Sequence, residues 1–581
     1  MASVTQSTSR LAPRLASGLT LLPPCFLAVL VFTYSVDLPQ WDQWTYVSFF
    51  EEFSRGSLTL SHLFAQVNEY RQFFPNLVFV ALGRLTRWDV RYEMWAILLA
   101  ACLISFNVYR LGRLTIEGTQ LRRALLLFMA NLLIFSPVQY PNWLQGQQLV
   151  YYVPIACITG CILVAHSRLN PIARFLICGG LSTISTFSSA NGGVCWIVVL
   201  PVLLTAALDR IPARRWFVAA WIIGLLSNAA LYLYGYHKPW WSPSPLAALA
   251  HPLQALIYFL IFLGAPLGLE KGKLAMLVGI LLLSLFAIGC LFVIRFRDDS
   301  IFVRRMTPWL MVGAYSILTG VMTMIGRVGL GVGQSIITAR YIGYSVYLVV
   351  CLVFVVPIVG EKLTREAKFL SRRRVAQFTV GAAVAFLLWQ PLTFAVGIAG
   401  MKKMRLELLQ AKASVLLINY VQDPELVHTL YPDLSFLAAQ ANILDKLGYL
   451  RPGLERSNRL QDFEGAKAIT NGYGSLDHVE LRDHVYVVSG IAALPNRHEG
   501  ADAVLLAYER PNGDCIVFAL THPKLGTAGS HDPGDDGRHL QRWELSLSAD
   551  RLPARPANIT AWAFDANSAR AYRLDGSYVI P

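Results

Sequence analysis

LAMLVGILLLSLFAIGCLFVI, residues 274–294, contains no charge and no alternation of polar with apolar positions. At 1.5 Å per residue it is long enough as a helix to cross a ~30 Å hydrocarbon layer. Inside lipid a backbone must satisfy its own hydrogen bonds, so an unalternating run of this length reads as a helix. YIGYSVYLVVCLVFVVPIVG, residues 341–360, reads the same way. Outward from these two, spans are expected at 15–36, 92–109, 123–140, 149–166, 172–188, 192–208, 215–234, 253–269, 274–294, 308–325, 341–360 and 375–397. Residues 73–88 form a short further candidate. The 172–208 stretch, broken at Ser188–Gly193, reads as two short spans or a re-entrant hairpin. The expected fold is an all-α polytopic membrane domain over residues 1–400, with about 11–13 transmembrane helices.

Composition agrees. Of 581 residues, 55% are hydrophobic and 15% charged, against ~25% charged in soluble domains; the mean hydropathy is +0.47. The net charge of +14 does not imply nucleic acid, because the basic residues occupy short loops between spans. They cluster at Arg110–Arg123, Arg210–Arg215, Arg295–Arg305 and Lys362–Arg374, as the positive-inside bias requires of cytoplasmic loops. Simple alternation of the spans would put 295–305 outside; the charge bias is given precedence, and the last span then delivers the C-terminus outside. Arg10 and Arg14 precede the first run without a small-x-small cleavage site, so an uncleaved first span is expected. Eight of the nine cysteines lie in or beside apolar runs and read as packing; Cys515 stands alone in the tail, which therefore has no internal disulfide.

Two extramembrane regions stand apart. The external loop 37–72 carries amphipathic stretches, WTYVSFFEEF and LSHLFAQV, expected to be short helices in the membrane interface. After a helical connector over 401–475, residues 476–581 alternate and carry Asn512-Gly513 and Asp575-Gly576 turns, which predicts a β-sandwich. Trp543 and Trp562 fall in its strand patterns and read as core. GSHDPGDDG, with Asp532, Asp535 and Asp536, reads as a loop.

Polar islands mark the candidate site. Asp37 and Asp42 follow the first span among Trp41, Trp44 and Tyr46, where a carboxylate can act as a base and rings can stack on a sugar. Glu51 and Glu52 read as solvated. Asn68-Glu69-Tyr70-Arg71 ends the loop. Asn142, Trp143, Gln145 and Gln148 form an uncharged island suited to hydroxyl groups, and Asn191 lies in a Ser/Gly break. Arg327 and Arg340, the latter followed by Tyr341, flank a glycine-rich external turn against the charge bias. Phosphate is the natural partner of a guanidinium fork. A divalent metal is compatible with the first-loop acids and not required by them. Neither a Rossmann nor a P-loop reading survives, since no strand precedes the glycines.

On DLPQWDQW at Asp37–Trp44, NEYR at Asn68–Arg71 and GRVGLGVGQSIITARY at Gly326–Tyr341, the chain resembles the GT-C superfamily of integral membrane glycosyltransferases. The architecture matches along the whole chain, with a large first external loop, an acid near its start and an extracytoplasmic C-terminal domain. It departs from better-known members, whose acids are adjacent or spaced D-x-D, so the correspondence of Asp37 or Asp42 to the family's acid is left open. The resemblance implies a plasma (inner) membrane protein that moves a sugar from a polyprenyl-phosphate donor to an external glycan or lipid-linked acceptor. Asp42 would be the base, Glu69 and Arg71 orienting partners, and Arg327 and Arg340 the phosphate clamp. A transporter or flippase for a lipid-linked saccharide is the rival reading. It would call for internal repeats and charges deep in the spans, neither of which the sequence displays.

Overall fold

A computed structural model of the chain describes residues 18–207, 214–333, 339–366, 372–421, 429–463, 473–495, 500–523, 540–548 and 556–580. Arg10, Arg14, Arg210, Lys368, residues 334–338 of the arginine turn and the acidic run with Asp532, Asp535 and Asp536 lie outside the described residues. Two compact units emerge: Met1–Ser35 with Thr59–Leu82 and Arg91–Met401, and Val36–Leu58 with Gly83–Val90 and Lys402–Pro581.

The first unit is helical. Among the described residues eight helices are long and apolar enough to cross a membrane: Arg91–Thr115, Gln120–Trp143, Gly146–Ala165, Arg214–Leu233, Gly272–Arg295, Ser300–Leu330, Ile342–Arg365 and Arg373–Leu416. Shorter apolar helices cover Leu22–Tyr34, Phe73–Thr86, Val194–Ala206 and Pro252–Leu267. Residues 73–88 are thus helical over most of their length. The 172–208 stretch folds as two short helices, Pro171–Thr186 and Val194–Val202. At the turn between them the backbone passes so close that a Cβ on Gly192 would meet the Ser185 carbonyl oxygen at 1.7 Å.

Burial sorts these helices. The apolar window of Ile342–Arg365 is 83% buried, whereas those of Arg214–Leu233 and Gly272–Arg295 are 6% and 17% buried. Leu277, Leu281, Ile288 and Leu291 point outward from the latter helix. Apolar faces this continuous are untenable in water and are what lipid contact requires. The central helix packs on Ser300–Arg327 through Trp309 and Phe354, whose rings stack 3.8 Å apart.

Ion pairs gather the basic loops at one end of the bundle. Arg305 pairs with Glu117 at 2.8 Å and also with Glu361. Arg122 pairs with Glu361, Arg365 with Glu117, and Lys362 with Asp299 at 2.7 Å. The loops at 116–119, 299–305 and 361–365 therefore share a side, as their charge demands and simple alternation denies. The helices between the first two are Gln120–Trp143, Gly146–Ala165, Pro171–Thr186, Val194–Ala206, Arg214–Leu233, Pro252–Leu267 and Gly272–Arg295. They are seven among the described residues, so an odd number of them does not cross. Three of the seven are short, and Pro252–Leu267, about 24 Å long, is the last of them. It folds back tightly on Gly272–Arg295: a Cβ on Gly264 would meet the Ala275 carbonyl oxygen at 1.8 Å, and one on Gly279 the Leu260 carbonyl oxygen at 2.0 Å.

The second unit joins part of the first loop to the tail. Helix Val47–Ser54 buries Val47, Phe49 and Phe50; the Phe50 ring lies 4.7 Å from that of Trp88 and 5.4 Å from that of Tyr449. The amphipathic face assigned to the membrane interface is thus covered by protein, because those rings supply enough apolar surface to bury it. The 45-residue helix Arg372–Leu416 carries the expected last span onward into the connector, which continues as helix Leu434–Leu447.

Numbering strands along the chain, β1 (Gln66–Val67) and β2 (Tyr70–Arg71) form a hairpin in the first unit. The tail holds the rest. β3 (Gly474–Arg482), β4 (Val485–Ala492) and β7 (Gln541–Ser548) make one antiparallel sheet in the order β3-β4-β7. The other contains β5 (Ala503–Glu509), β6 (Cys515–Thr521), β8 (Ala557–Asp565), β9 (Arg570–Arg573) and β10 (Tyr578–Ile580). Its order is β10-β8-β5-β6, with β9 on β8. Val488, Leu506, Trp543, Ile559 and Ala561 form the core between them, giving the expected sandwich. Trp543 and Trp562 are both buried, and Gly513 and Gly576 take positive φ in the expected turns.

Candidate functional site

In the first unit, the site is built on the hairpin. A two-residue turn, Asn68-Glu69, joins β1 and β2, and Asn68 takes φ +52°, which asparagine tolerates better than most residues. The hairpin is clasped to the end of helix Arg214–Leu233 by Arg71. Its guanidinium donates to the carbonyls of Tyr232 at 3.0 Å, Phe64 at 2.9 Å and Tyr234. It also lies 4.9 Å over the Phe64 ring. Carbonyls at a helix C-terminus have no partner within the helix, and Arg71 supplies one. Gln66 extends the clasp: its amide donates to the His237 carbonyl at 2.6 Å and accepts from the His237 N–H at 3.0 Å.

This frame presents Glu69 to Arg327. The carboxylate and guanidinium meet at 2.8 Å, with side chains 17% and 20% exposed. Arg327 is the last residue of helix Ser300–Arg327, where the helix dipole favours a cation, and it stacks over Trp241 at 5.0 Å. Burial, and then the Glu69 carboxylate, raise the nearby Tyr236 phenol above its ordinary value. Beyond the turn, the Asn142 amide donates to the Arg340 carbonyl at 2.9 Å. Asn142 sits so close to the next helix that a Cβ on Gly343 would meet its Nδ2 at 2.6 Å. Tyr341 completes the cluster, its ring 6.2 Å from Phe262 and 6.5 Å from Tyr344.

Several sequence candidates are used inside the fold. Asn191 donates to the Tyr315 hydroxyl at 2.9 Å and to Thr319 Oγ1 at 3.1 Å, while Ser189 donates to its Oδ1 at 2.8 Å. Trp143 is fully buried and donates to the Ser136 carbonyl at 2.9 Å. The Gln148 amide donates to Gln145 Oε1 at 2.6 Å, and both are buried. The amide island is thus turned into the bundle.

The second unit holds the first-loop acids. Asp37 Oδ2 accepts from Arg451 Nη2 at 2.9 Å and Nε at 3.1 Å, and its Oδ1 from the Val90 N–H at 3.2 Å. Burial, followed by the neighbouring Asp89, raises the Asp37 carboxyl above the usual range; Arg451 and Lys412 oppose this. Asp42 lies on the 3-10 turn Trp41–Tyr46, which a reciprocal capping box between Gln40 and Gln43 locks. The Thr45 hydroxyl donates to the Asp42 carbonyl at 2.6 Å. Trp41, just before it, takes φ +50° and is 46% exposed. A left-handed tryptophan is strained, and such strain is often found at functional positions. Trp44, paired with it in sequence as a belt or sugar-stacking residue, is instead fully buried. Burial and then the charge of Asp42 raise the Tyr431 phenol above its ordinary value. Among the described residues no group of three or more His, Cys, Asp or Glu is placed to hold a metal.

Together the apolar helices, their outward-facing sides and the gathered basic loops define a multi-pass integral membrane protein bearing an extramembrane sandwich. No family model matches the chain, and no curated protein does. Among solved structures it is similar to that described as "Crystal Structure of ArnT from Cupriavidus metallidurans bound to Undecaprenyl phosphate", at 16% identity and a TM-score of 0.41 over 75% of this chain and 88% of that one. So distant a likeness identifies neither a substrate nor a reaction for this chain.

Proposed function

We propose that the chain is a membrane glycosyltransferase that takes a sugar from a polyprenyl-phosphate donor. The observation that supports this most is the pair of arginines flanking one turn, Arg327 held by Glu69 at 2.8 Å and Arg340 at the start of the next apolar helix. Guanidinium forks at the end of membrane helices suit an anionic lipid headgroup.

In this reading Asp42 accepts the acceptor hydroxyl's proton as that oxygen bonds to the sugar's anomeric carbon. The bond from that carbon to the phosphate oxygen breaks, and the electron pair leaves with polyprenyl phosphate, whose charge Arg327 and Arg340 stabilise. Glu69 orients Arg327, and Arg71 holds the hairpin that carries Glu69. The sandwich belongs to the same unit as Asp42, which fits a role in holding a glycan or lipid-linked acceptor outside the plasma membrane.

Lysine keeps the charge of these arginines and loses the planar fork. Arg327→Lys and Arg340→Lys should therefore each weaken binding of a short polyprenyl phosphate in nanodiscs. Wild-type affinity in both would remove the clamp from the mechanism. Deleting residues 473–581 should leave that binding intact and abolish transfer; unchanged transfer would reduce the sandwich to an appendage.

A further inference from the structure

Helix Pro252–Gly264 packs beside the residues that follow Arg327 and Arg340. Tyr258 and Phe262 stand one turn apart on the same face of this helix. Tyr258 packs against Val328, the residue after Arg327, together with Ala248 and Ala255. Phe262 packs against Tyr341, the residue after Arg340, with ring centroids 6.2 Å apart. Its ring lies hard against the helix that ends in Arg327: a Cβ on Gly320 would meet it at 2.9 Å.

The Tyr258 side chain is 0% exposed, and among the described residues its hydroxyl has no hydrogen-bond partner. Arg327, Arg340, Tyr341 and Tyr151 all lie within its electrostatic reach. Buried hydroxyls are nearly always hydrogen-bonded, and the exceptions call for an explanation. Guanidinium groups offer only donors, so neither arginine can accept the phenol's proton. An anionic oxygen lying between the arginines would accept it.

Resting on the glycosyltransferase reading, we propose that Tyr258 donates a hydrogen bond to a phosphate oxygen of the lipid donor, making a three-point phosphate site with Arg327 and Arg340. The phenol is neutral, so it reads the phosphate by direction rather than by charge. Phe262 and Tyr341 wall the site on the side of the second arginine.

The test is equilibrium binding of radiolabelled farnesyl phosphate to the full-length protein in nanodiscs, with farnesol and inorganic phosphate as competitors. Wild type should bind farnesyl phosphate well above farnesol, and inorganic phosphate should displace it only at large excess. Tyr258→Phe should weaken farnesyl phosphate about tenfold or more, the worth of a hydrogen bond to a charged group, and leave farnesol binding unchanged. Because the substitution removes a buried, unmet hydroxyl, its ligand-free melting temperature should equal or exceed that of wild type; a fall would assign the hydroxyl to folding and overturn the proposal. Unchanged affinity in Tyr258→Phe, alongside weakened binding in Arg327→Lys, would overturn the tyrosine's role and leave the glycosyltransferase reading standing. Wild type that fails to prefer farnesyl phosphate over farnesol would overturn that reading itself. Displacement by equimolar inorganic phosphate would overturn the lipid as the ligand's source.

Discussion

Replacing Glu69 by glutamine should tighten phosphate-lipid binding while slowing turnover, an opposition that few other substitutions here would produce. Glu69 meets Arg327 at 2.8 Å, and both side chains are about four-fifths buried. With charge centres ~4 Å apart and an effective dielectric of ~20, their attraction is about 4 kcal/mol. Desolvation offsets much of this, and roughly 1.4 kcal/mol is a reasonable remainder. An incoming phosphate has to compete with Glu69 for the guanidinium, so the remainder is subtracted from its affinity in wild type. Removing the carboxylate's charge should return it, giving about tenfold tighter binding. Folding should suffer by ~1 kcal/mol or less, since the Gln carbonyl still accepts from Arg327. Turnover should fall because Arg327, no longer anchored by a charge, loses its fixed orientation toward the leaving phosphate. Binding of farnesyl phosphate in nanodiscs and release of polyprenyl phosphate would be measured on the same preparation. Equal or weaker binding in Glu69→Gln would refute the competition between carboxylate and phosphate.

The same geometry sets three further expectations. Arg71→Lys cannot reach the three carbonyls that Arg71 satisfies; it should lower stability by about 1–3 kcal/mol and speed proteolysis within residues 234–241, and unchanged proteolysis would contradict the clasp. Asp37 has a carboxyl raised by burial and Asp89, so its stabilising contribution is complete below the unfolded value of ~3.9 and is lost as pH rises through the folded value. Arg451→Met removes an opposing charge; it should cost about 1–2 kcal/mol near neutral pH, less than a fully buried pair because Arg451 is 37% exposed. The deficit should shrink toward pH 4, as melting curves across pH would show, and a pH-independent deficit would contradict it. Arg297→Cys, in the loop that shares a side with Glu117 and Glu361, should resist a membrane-impermeant thiol reagent in intact cells, whereas Asn512→Cys in the sandwich should react; the reverse pattern would invert the proposed orientation.

The membrane helices were legible because hydropathy is a local property: a charge-free run such as 274–294 can do little else. The strands were legible from alternation. What the sequence hid is the pairing across distance. Asp37 looks like a free acid after the first span, yet its partner Arg451 lies 414 positions later. Arg71 reads as an orienting partner in the site, yet three of its N–H groups go to backbone carbonyls, two of which need a donor only once helix Arg214–Leu233 ends beside it. Asn191 and the 142–148 amides look like a hydroxyl-binding surface. Burial turns them inward, since a polar group inside a helical bundle has to find a partner there. Tyr258 gave no signal, for nothing in PLQALIYFLIFLG marks that tyrosine as packing beside the end of the Arg327 helix. The span count went astray among the short helices, Pro171–Thr186, Val194–Ala206 and Pro252–Leu267, which hydropathy alone cannot sort into crossing and non-crossing.

The most direct test of the proposed transfer is the fate of the phosphate lipid in a single reaction. Purified protein in nanodiscs would be incubated with a polyprenyl-phosphate sugar pool and cell-envelope glycan, and the lipids followed by mass spectrometry. Wild type should convert polyprenyl-phosphate sugar to polyprenyl phosphate, with the sugar recovered on the glycan. Asp42→Asn should bind the lipid normally and release none. Release at the wild-type rate by Asp42→Asn, or lipid left unchanged by wild type across the whole sugar pool, would contradict the mechanism.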